Sequence, residues 1–323
     1  MFSPTRSQGQ GPSPATLFTD PAAVDAWDRW FRWREDGVLR DLTIDATWWR
    51  VADAVSQVEG DQAAERTRQF VDAFSRWRIL PDPRLLRLAG TAKSLAGMES
   101  PCVVVNAVAF VAAPGLKRAS FERESFGDAT ALAVRLLHDV MLACDSTEIH
   151  TQARIGLIGV ADALQLLGLP YDSSKGRQFA AELAAALAEG VLRGASVINS
   201  DMRHDLLTTI EPQPHLALLA NNASDALDPC LLRTTSLRGR VARTPATRDA
   251  EGDASILAQI EMRAAMQPWI DVPIDYPLVC MGEPDVQAIE KSNRLATQHG
   301  LRPLTLRSVR AFQLINDDAG EQI

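Results

Sequence analysis

Few side chains in this sequence have both the type and the setting for chemistry, and Cys102 leads them. It heads the run PCVVVNAVAFV (101–111), where a thiol could act as a nucleophile or a redox group. The thiolate is the reactive form, and no base adjoins Cys102 to generate it. The simpler reading is a small apolar side chain on a Val-rich strand. Cys230 and Cys280 are candidate partners for a dithiol, and spacing does not choose between them. His138, Cys144, Glu148 and His150 are four metal-binding side chains close in sequence, but their spacing fits no zinc pattern. Gly156 and Gly159 of GLIGVAD lack the G-x-G-x-x-G spacing of a dinucleotide loop and read as points of close chain packing. Six of the seven tryptophans, Trp27, Trp30, Trp33, Trp48, Trp49 and Trp77, precede residue 80. They could stack a flat ligand ring, although Trp at i, i+3 spacing on an amphipathic helix belongs to a core or an interface.

The elements that must hold these groups follow from hydrophobic periodicity. Residues 1–19 are rich in Ser, Pro, Gly and Gln and read as a disordered tail. An Asp20 N-cap and Pro21 open a helix that places Trp27, Trp30, Phe31 and Arg34 on one face and stops at Gly37. A second helix starts at Thr43 or Asp45, and a third covers about 63–77 and ends against ILPDPRLL, whose prolines force an extended turn. Residues 20–95 therefore form a helical N-terminal region. Beyond it come a buried strand over 101–111, a helix over 121–144 and a glycine-punctuated start of a short helix at 154–173. A long Ala-rich helix over 174–197 precedes a strand, loop and apolar segment in HDLLTTIEPQPHLALLANN. A mobile loop is expected near 238–253, then helices near 254–269 and 284–299 and a last strand at 301–306. The fold class is α/β.

Composition narrows the function. The chain has 323 residues, 46% of them hydrophobic, enough to bury a full core without disulfides. With a net charge of −8 there is no basic field to hold a polyanion, so nucleic acid is not an expected partner. The best candidate for a spanning segment, 103–113, carries Asn106 and is too short to span a bilayer, and the first residues lack the apolar core of a secretory signal. A cytoplasmic protein with reduced thiols is expected.

Several segments, in order, resemble the large catalytic subunit of ribonucleotide reductases, especially the adenosylcobalamin-dependent class II type. RIGLIGVADALQLLGLPYDS (154–173) is similar to that family's G-V-x-G-x-A-D followed by L-G-x-x-Y-D-S. ATWWRVADAVSQVE (46–59) resembles T-W-x-R-V-A, and RILPDPRLLRLAGT (78–91) resembles F-L-P-x-x-R-x-L-x-x-A-G-T. LLANNASDALDP (218–229) is similar to the stretch ending S-x-G-I-E-P, and AAMQPWIDVPI (264–274) to A-x-Q-x-x-I-D-x-x-I-S. HGLRPLTLRSVR (299–310) resembles the closing G-L-K-G-L-T-V-Y-R.

The resemblance implies a helical region, 20–95, packed on a reduced α/β barrel remnant, 96–323, and it implies adenosylcobalamin as cofactor. Departures from the family pattern then set the functional expectation. The family's radical chemistry needs three cysteines, and only Cys102 falls where they lie, either as a redox cysteine or as the loop cysteine of N-x-C-x-E with Ser100 and Val104 in place of the Asn and Glu. This weakens the cofactor implication. The phosphate loop P-T-G-T-I-S aligns with Pro212, Gln213, Pro214, His215, Leu216 and Ala217, which lose an N–H and the hydroxyls. Asp275 stands where the family has a Ser. Cys102 remains the catalytic candidate. His215, Asn221, Asn222, Ser224 and Asp225 are the substrate-binding candidates, with His204 and Asp205 flanking the same segment. The expected function is a repurposed enzyme or ligand-binding protein acting on a nucleoside-like or other small metabolite; the alternative is a non-catalytic pseudoenzyme serving as a regulatory or structural partner. Half a barrel leaves open sheet edges, which motivates a homodimer.

Overall fold

The computed structural model describes residues 15–144, 152–198, 206–229, 252–280 and 282–308, with two strand pieces, 233–234 and 242–243. Helix α1 (Pro21–Ala26) starts as expected: Asp20 accepts the Ala22 N–H, and Pro21 supplies the first turn. A π-helical turn, Trp27–Phe31, continues it and buries Trp27 and Phe31. The helix then stops well short of Gly37. Arg34–Glu35 (β1) and Val38–Leu39 (β2) pair antiparallel around Asp36 and Gly37, whose φ values of 50° and 77° are those of a two-residue hairpin turn. Arg34 thus leaves the expected helical face and instead bonds Asp28 at 2.8 Å.

Helices α2 (Ile44–Ser56) and α3 (Ala63–Ser75) pack together, joined by a 3-10 turn over Gln57–Gln62. Half-buried Arg50 on α2 pairs with Asp41 at 2.8 Å and donates to the carbonyl oxygens of Leu86 and Ala89. The extended turn expected at 79–86 becomes strand β3 (Ile79–Pro81) and helix α4 (Pro83–Leu88), capped by Asp82. Ordered contacts begin ahead of Asp20, because Thr16 bonds Asp45 and Trp48.

The expected strand over 101–111 is split. Strand β4 (Cys102–Asn106) ends where the Asn106 side chain accepts the Val108 N–H and turns the chain into a 3-10 turn, Ala107–Phe110. Val111–Ala112 (β5) then pairs with Ser120–Phe121 (β6) in a separate ribbon. After helix α5 (Arg123–Ala143) come strand β7 (Ala153–Ile158), helix α6 (Val160–Leu166), helix α7 (Ser174–Ile198) and strand β8 (Leu206–Thr208). The main sheet runs β3-β4-β7-β8, with β3 antiparallel and the other three parallel. Its register sets Cys102 opposite Arg154, Val104 opposite Gly156 and Asn106 opposite Ile158.

Helices α5 and α7 lie in close contact because Gly190 and Gly194 are small. A Cβ on Gly190 would fall 2.6 Å from Thr130 Cβ, and one on Gly194 2.7 Å from Val134 Cβ. Helix α8 (Pro214–Leu219) packs on α1, and β9 (Arg233–Thr234) pairs with β10 (Ala242–Arg243). Of the expected loop at 238–253, little else is described. Helix α9 (Gly252–Met266) is followed by β11 (Leu278–Cys280), α10 (Val286–Gln298) and β12 (Leu306–Ser308). Strands β11 and β12 pair in parallel, and Ile260, Leu278, Ala296, Leu301 and Leu304 form a small second core. The strand expected at 301–306 is described at 306–308: residues 301–305 are irregular, and the Leu304 N–H is taken by Asn293 Oδ1 at 2.9 Å.

The architecture is α/β. At the β8 edge of the main sheet, Asp271 accepts the Thr208 N–H and Val272 donates to the Thr208 carbonyl oxygen, so that edge is covered within the chain. Among the described residues no helix is long and apolar enough to cross a membrane.

Candidate functional site

The segment 209–229 holds the predicted substrate-binding residues, and its position depends on Gly159. That residue starts α6 at φ 78°, and a Cβ there would fall 2.6 Å from Asn106 Oδ1 and 2.7 Å from Val108 Cγ2. Its N–H donates to the Ser224 carbonyl oxygen at 2.6 Å. Ser224, fully buried, then exchanges two further hydrogen bonds with Asp162: the Asp162 N–H donates to Ser224 Oγ at 3.2 Å, and the Ser224 N–H donates to Asp162 Oδ2 at 2.9 Å. A helix start leaves its first N–H groups without intrahelical partners, and Ser224 takes one of them.

Asp225, the next residue, turns the other way. Its Oδ1 accepts the N–H of Gln213, the residue before α8, at 2.7 Å. His215, in the first turn of α8, is buried and meets Trp30 edge-on with ring centroids 4.5 Å apart. Asn221 and Asn222 both have left-handed backbones, φ 56° and 57°. Asn221 accepts the Thr19 N–H at 2.7 Å and donates to the Leu17 carbonyl oxygen at 3.2 Å, while Asn222 donates to Asp20 Oδ2 at 3.2 Å. The five residues lie within 215–225 and turn to different partners. Each one meets other parts of the same chain.

Cys102 opens β4 beside a second polar group. Its N–H donates to Asp82 Oδ2 at 3.1 Å, and Asp82 also pairs with Arg84 at 2.6 Å. Burial, reinforced by the Asp82 carboxylate, pushes the Cys102 thiol well above its ordinary value, so at neutral pH it is a thiol rather than a thiolate. Gln213 Nε2 lies 3.9 Å from its Sγ, and Arg154, opposite Cys102 in the sheet, pairs with Glu211 at 2.7 Å. Burial likewise raises Cys144 and Cys280. Cys280 sits in the β11–β12 unit, where its Sγ donates to the carbonyl oxygens of Gly282 at 3.0 Å and Arg307 at 3.3 Å. It borders a pocket of about 470 Å³ lined also by Glu283, Gln287, Lys291, Leu295 and Leu306. Cys230, His204 and Asp205 lie outside the described residues.

No group of three or more metal-binding side chains occurs among the described residues. His138 Nδ1 lies 3.3 Å from Asp139 Oδ1, and Glu148 and His150 fall outside the described residues. Of the tryptophans, Trp27 and Trp48 are core, Trp30, Trp33 and Trp77 are half-buried, and Trp49 and Trp269 are exposed; Trp27 Nε1 donates to Thr47 Oγ1 at 2.9 Å. Sequence reasoning missed Asp162 and Asp82, and named Gln213 only as part of the altered phosphate loop. Asp162 carried a weak signal as an acidic residue in a first helical turn, and Asp82 a stronger one as an Asp before a proline.

Adenosylcobalamin does not fit the described thiols. Radical transfer from that group needs a thiol facing it and a dithiol within reach, whereas Cys280 is tied to two carbonyl oxygens and Cys102 lies under Asp82 and Gln213.

No protein-family model matches the chain, and no curated protein matches it. Among solved structures, the class Id ribonucleotide reductase alpha subunit of Actinobacillus ureae is similar in part, with a TM-score of 0.48 and 13% identity over 64% of this chain and 49% of that one. The chain thus spans about half the length of that subunit. Its class Id description lends nothing to the class II, cobalamin-dependent part of the expectation.

Proposed function

We propose that this protein is a non-catalytic, reductase-like binding protein that acts through contacts with a partner rather than by ribonucleotide reduction. The observation that carries this reading is the internal engagement of 213–225. Ser224 and Asp225 close two helix starts, and Asn221 and Asn222 hold residues 17–20. The raised Cys102 thiol supports the same reading, since neither a nucleophile nor a redox pair is prepared there. A thermal-shift panel of nucleoside diphosphates, nucleoside triphosphates and adenosylcobalamin tests it. No shift is expected at millimolar concentration, whereas a ligand at about 100 times its Kd would add about 2.7 kcal/mol. A shift with any of the three would overturn the reading.

A second reading, binding of a small metabolite, is favoured by one feature, the pocket beside Cys280 and Lys291. A homodimer formed through edges of the main sheet has little support, because β8 is bonded within the chain at Thr208 and β3 is buried.

A further inference from the structure

Residues 16–20 are bound to the rest of the fold by fixed side chains from distant elements. Thr16 Oγ1 donates to Asp45 Oδ1 at 2.6 Å and accepts from Trp48 Nε1 at 3.0 Å, and the Thr16 N–H also reaches Asp45 Oδ1 at 3.0 Å. The Leu17 carbonyl oxygen accepts from both Trp77 Nε1, at 3.1 Å, and Asn221 Nδ2, at 3.2 Å. The Thr19 N–H donates to Asn221 Oδ1 at 2.7 Å. Asn221 therefore reads the carbonyl of one residue and the N–H of the residue two further on, groups that face the same side of an extended chain. The Phe18 ring lies 5.6 Å from the Trp77 ring and 6.3 Å from Trp27, while the Leu17 side chain is 72% exposed. The groove recognises one hydroxyl, one aromatic ring and the main chain around them. It makes no demand on the residue between.

Recognition of this kind transfers to another chain, because main-chain groups supply most of the hydrogen bonds. Several of these bonds are also solvent-exposed. We propose that the groove formed by Asp45, Trp48, Trp77 and Asn221 is a peptide-recognition site, held in cis by residues 16–19, that accepts an extended Thr-x-Phe segment from a partner protein. The proposal rests on the binding-protein reading above and names the chemistry of that partner. A covalently attached segment competes at an effective concentration of about a millimolar, so the cis occupant conceals the site until a partner displaces it or the cis contacts weaken.

The test uses the full chain carrying Thr16→Ala and Phe18→Ala and a fluorescein-labelled peptide, ATLFTD, followed by anisotropy. The folded double variant should bind the peptide at least about tenfold more tightly than the wild-type chain, since its cis competitor is impaired. Replacing Leu by Ala in the peptide should leave binding unchanged. Replacing its first Thr and its Phe by Ala, or adding Asn221→Ala to the protein, should abolish it. Absence of binding by the folded double variant at millimolar peptide, or binding indifferent to Asn221, overturns the proposal. Hydrogen exchange of the wild-type chain is an independent check should the variant fail to fold: the Thr16 and Thr19 amides should be protected, and free exchange of both overturns it. A wild-type dimer dissociated by the free peptide would assign the groove to a second copy and also overturn it. Failure of the peptide alongside a silent nucleotide panel removes the groove and leaves the binding-protein reading standing. A thermal shift with nucleotides removes that reading whatever the peptide does.

Discussion

Replacing Ser224 by Ala separates a ligand-binding residue from a structural one. Ser224 is fully buried, and its Oγ accepts the Asp162 N–H in the first turn of α6. Removing the hydroxyl strands that donor. Loss of a capping hydroxyl costs about 0.5–2 kcal/mol, and an unsatisfied buried donor about 1–3 kcal/mol. Both figures describe the same loss, so the expected destabilisation is about 1–2 kcal/mol rather than their sum. The two neighbouring bonds, Gly159 N–H to the Ser224 carbonyl oxygen and Ser224 N–H to Asp162, use main-chain groups of residue 224 and survive. Asp162→Ala removes a charge-assisted acceptor and should cost about 1.5–3 kcal/mol. Because the two side chains share one node, the double variant should fall short of the sum by at least about 0.5 kcal/mol. An unfolding entropy of about 2.1 cal/mol/K per residue over 323 residues makes 1–2 kcal/mol a Tm decrease of about 1.5–3 °C. Calorimetry and urea unfolding read the effect directly. A Ser224→Ala chain within about 0.5 kcal/mol of wild type, or an additive double variant, would refute the internal-clip account and return Ser224 to the list of ligand contacts.

Three further outcomes follow from the same geometry. Gly194→Ala would place a Cβ 2.7 Å from Val134 Cβ and should destabilise the α5–α7 contact by about 1–3 kcal/mol in urea unfolding. Cys102 should resist iodoacetamide at neutral pH and react only at alkaline pH, because burial and Asp82 raise its thiol; mass spectrometry of alkylated peptides reads this directly. Asp139 on α5 is fully buried, and burial raises its carboxyl, with the nearby Glu59 carboxylate adding to the rise. A raised carboxyl contributes stability that is complete below its ordinary value and is lost as pH climbs through its folded value. Asp139 alone should therefore pull Tm down on the alkaline side of the ordinary carboxylate range, against the lowered Glu59 beside it, and Asp139→Asn should remove that pull; Tm–pH slopes parallel in the two proteins would contradict it.

Long periodic elements were legible in the sequence because their signals are local. The apolar faces of α5 and α7 and the Asp20-Pro21 start of α1 lie where 3.6-residue spacing and capping chemistry put them. The helix was carried too far at Gly37 because Trp and Arg spacing outweighed the Asp36-Gly37 pair, although that pair is itself a hairpin signal. In PCVVVNAVAFV the continuous apolar character hid the stop, and Asn106, its one polar residue, made it. For the candidate residues Ser224, Asp225, Asn221 and Asn222, the partners were not legible. Asp162 is 62 positions from Ser224, and Leu17 is 204 positions from Asn221. A pattern of residue types identifies polar groups that need partners; only the fold decides whether the partner is a ligand or another part of the chain.

That distinction has an energetic basis in 213–225. N–H groups at a helix start are costly to bury unpaired, so a chain without a ligand there must supply its own acceptors. Here two adjacent residues do so in opposite directions, Ser224 toward α6 and Asp225 toward Gln213 before α8. A phosphate arriving at Gln213 would meet the Asp225 carboxylate already on the N–H it needs, so binding would require both the loss of that bond and the approach of two anions in a buried setting. Pro214 withholds the next donor as well. The arrangement stabilises the loop without a ligand and would oppose an anion at Gln213.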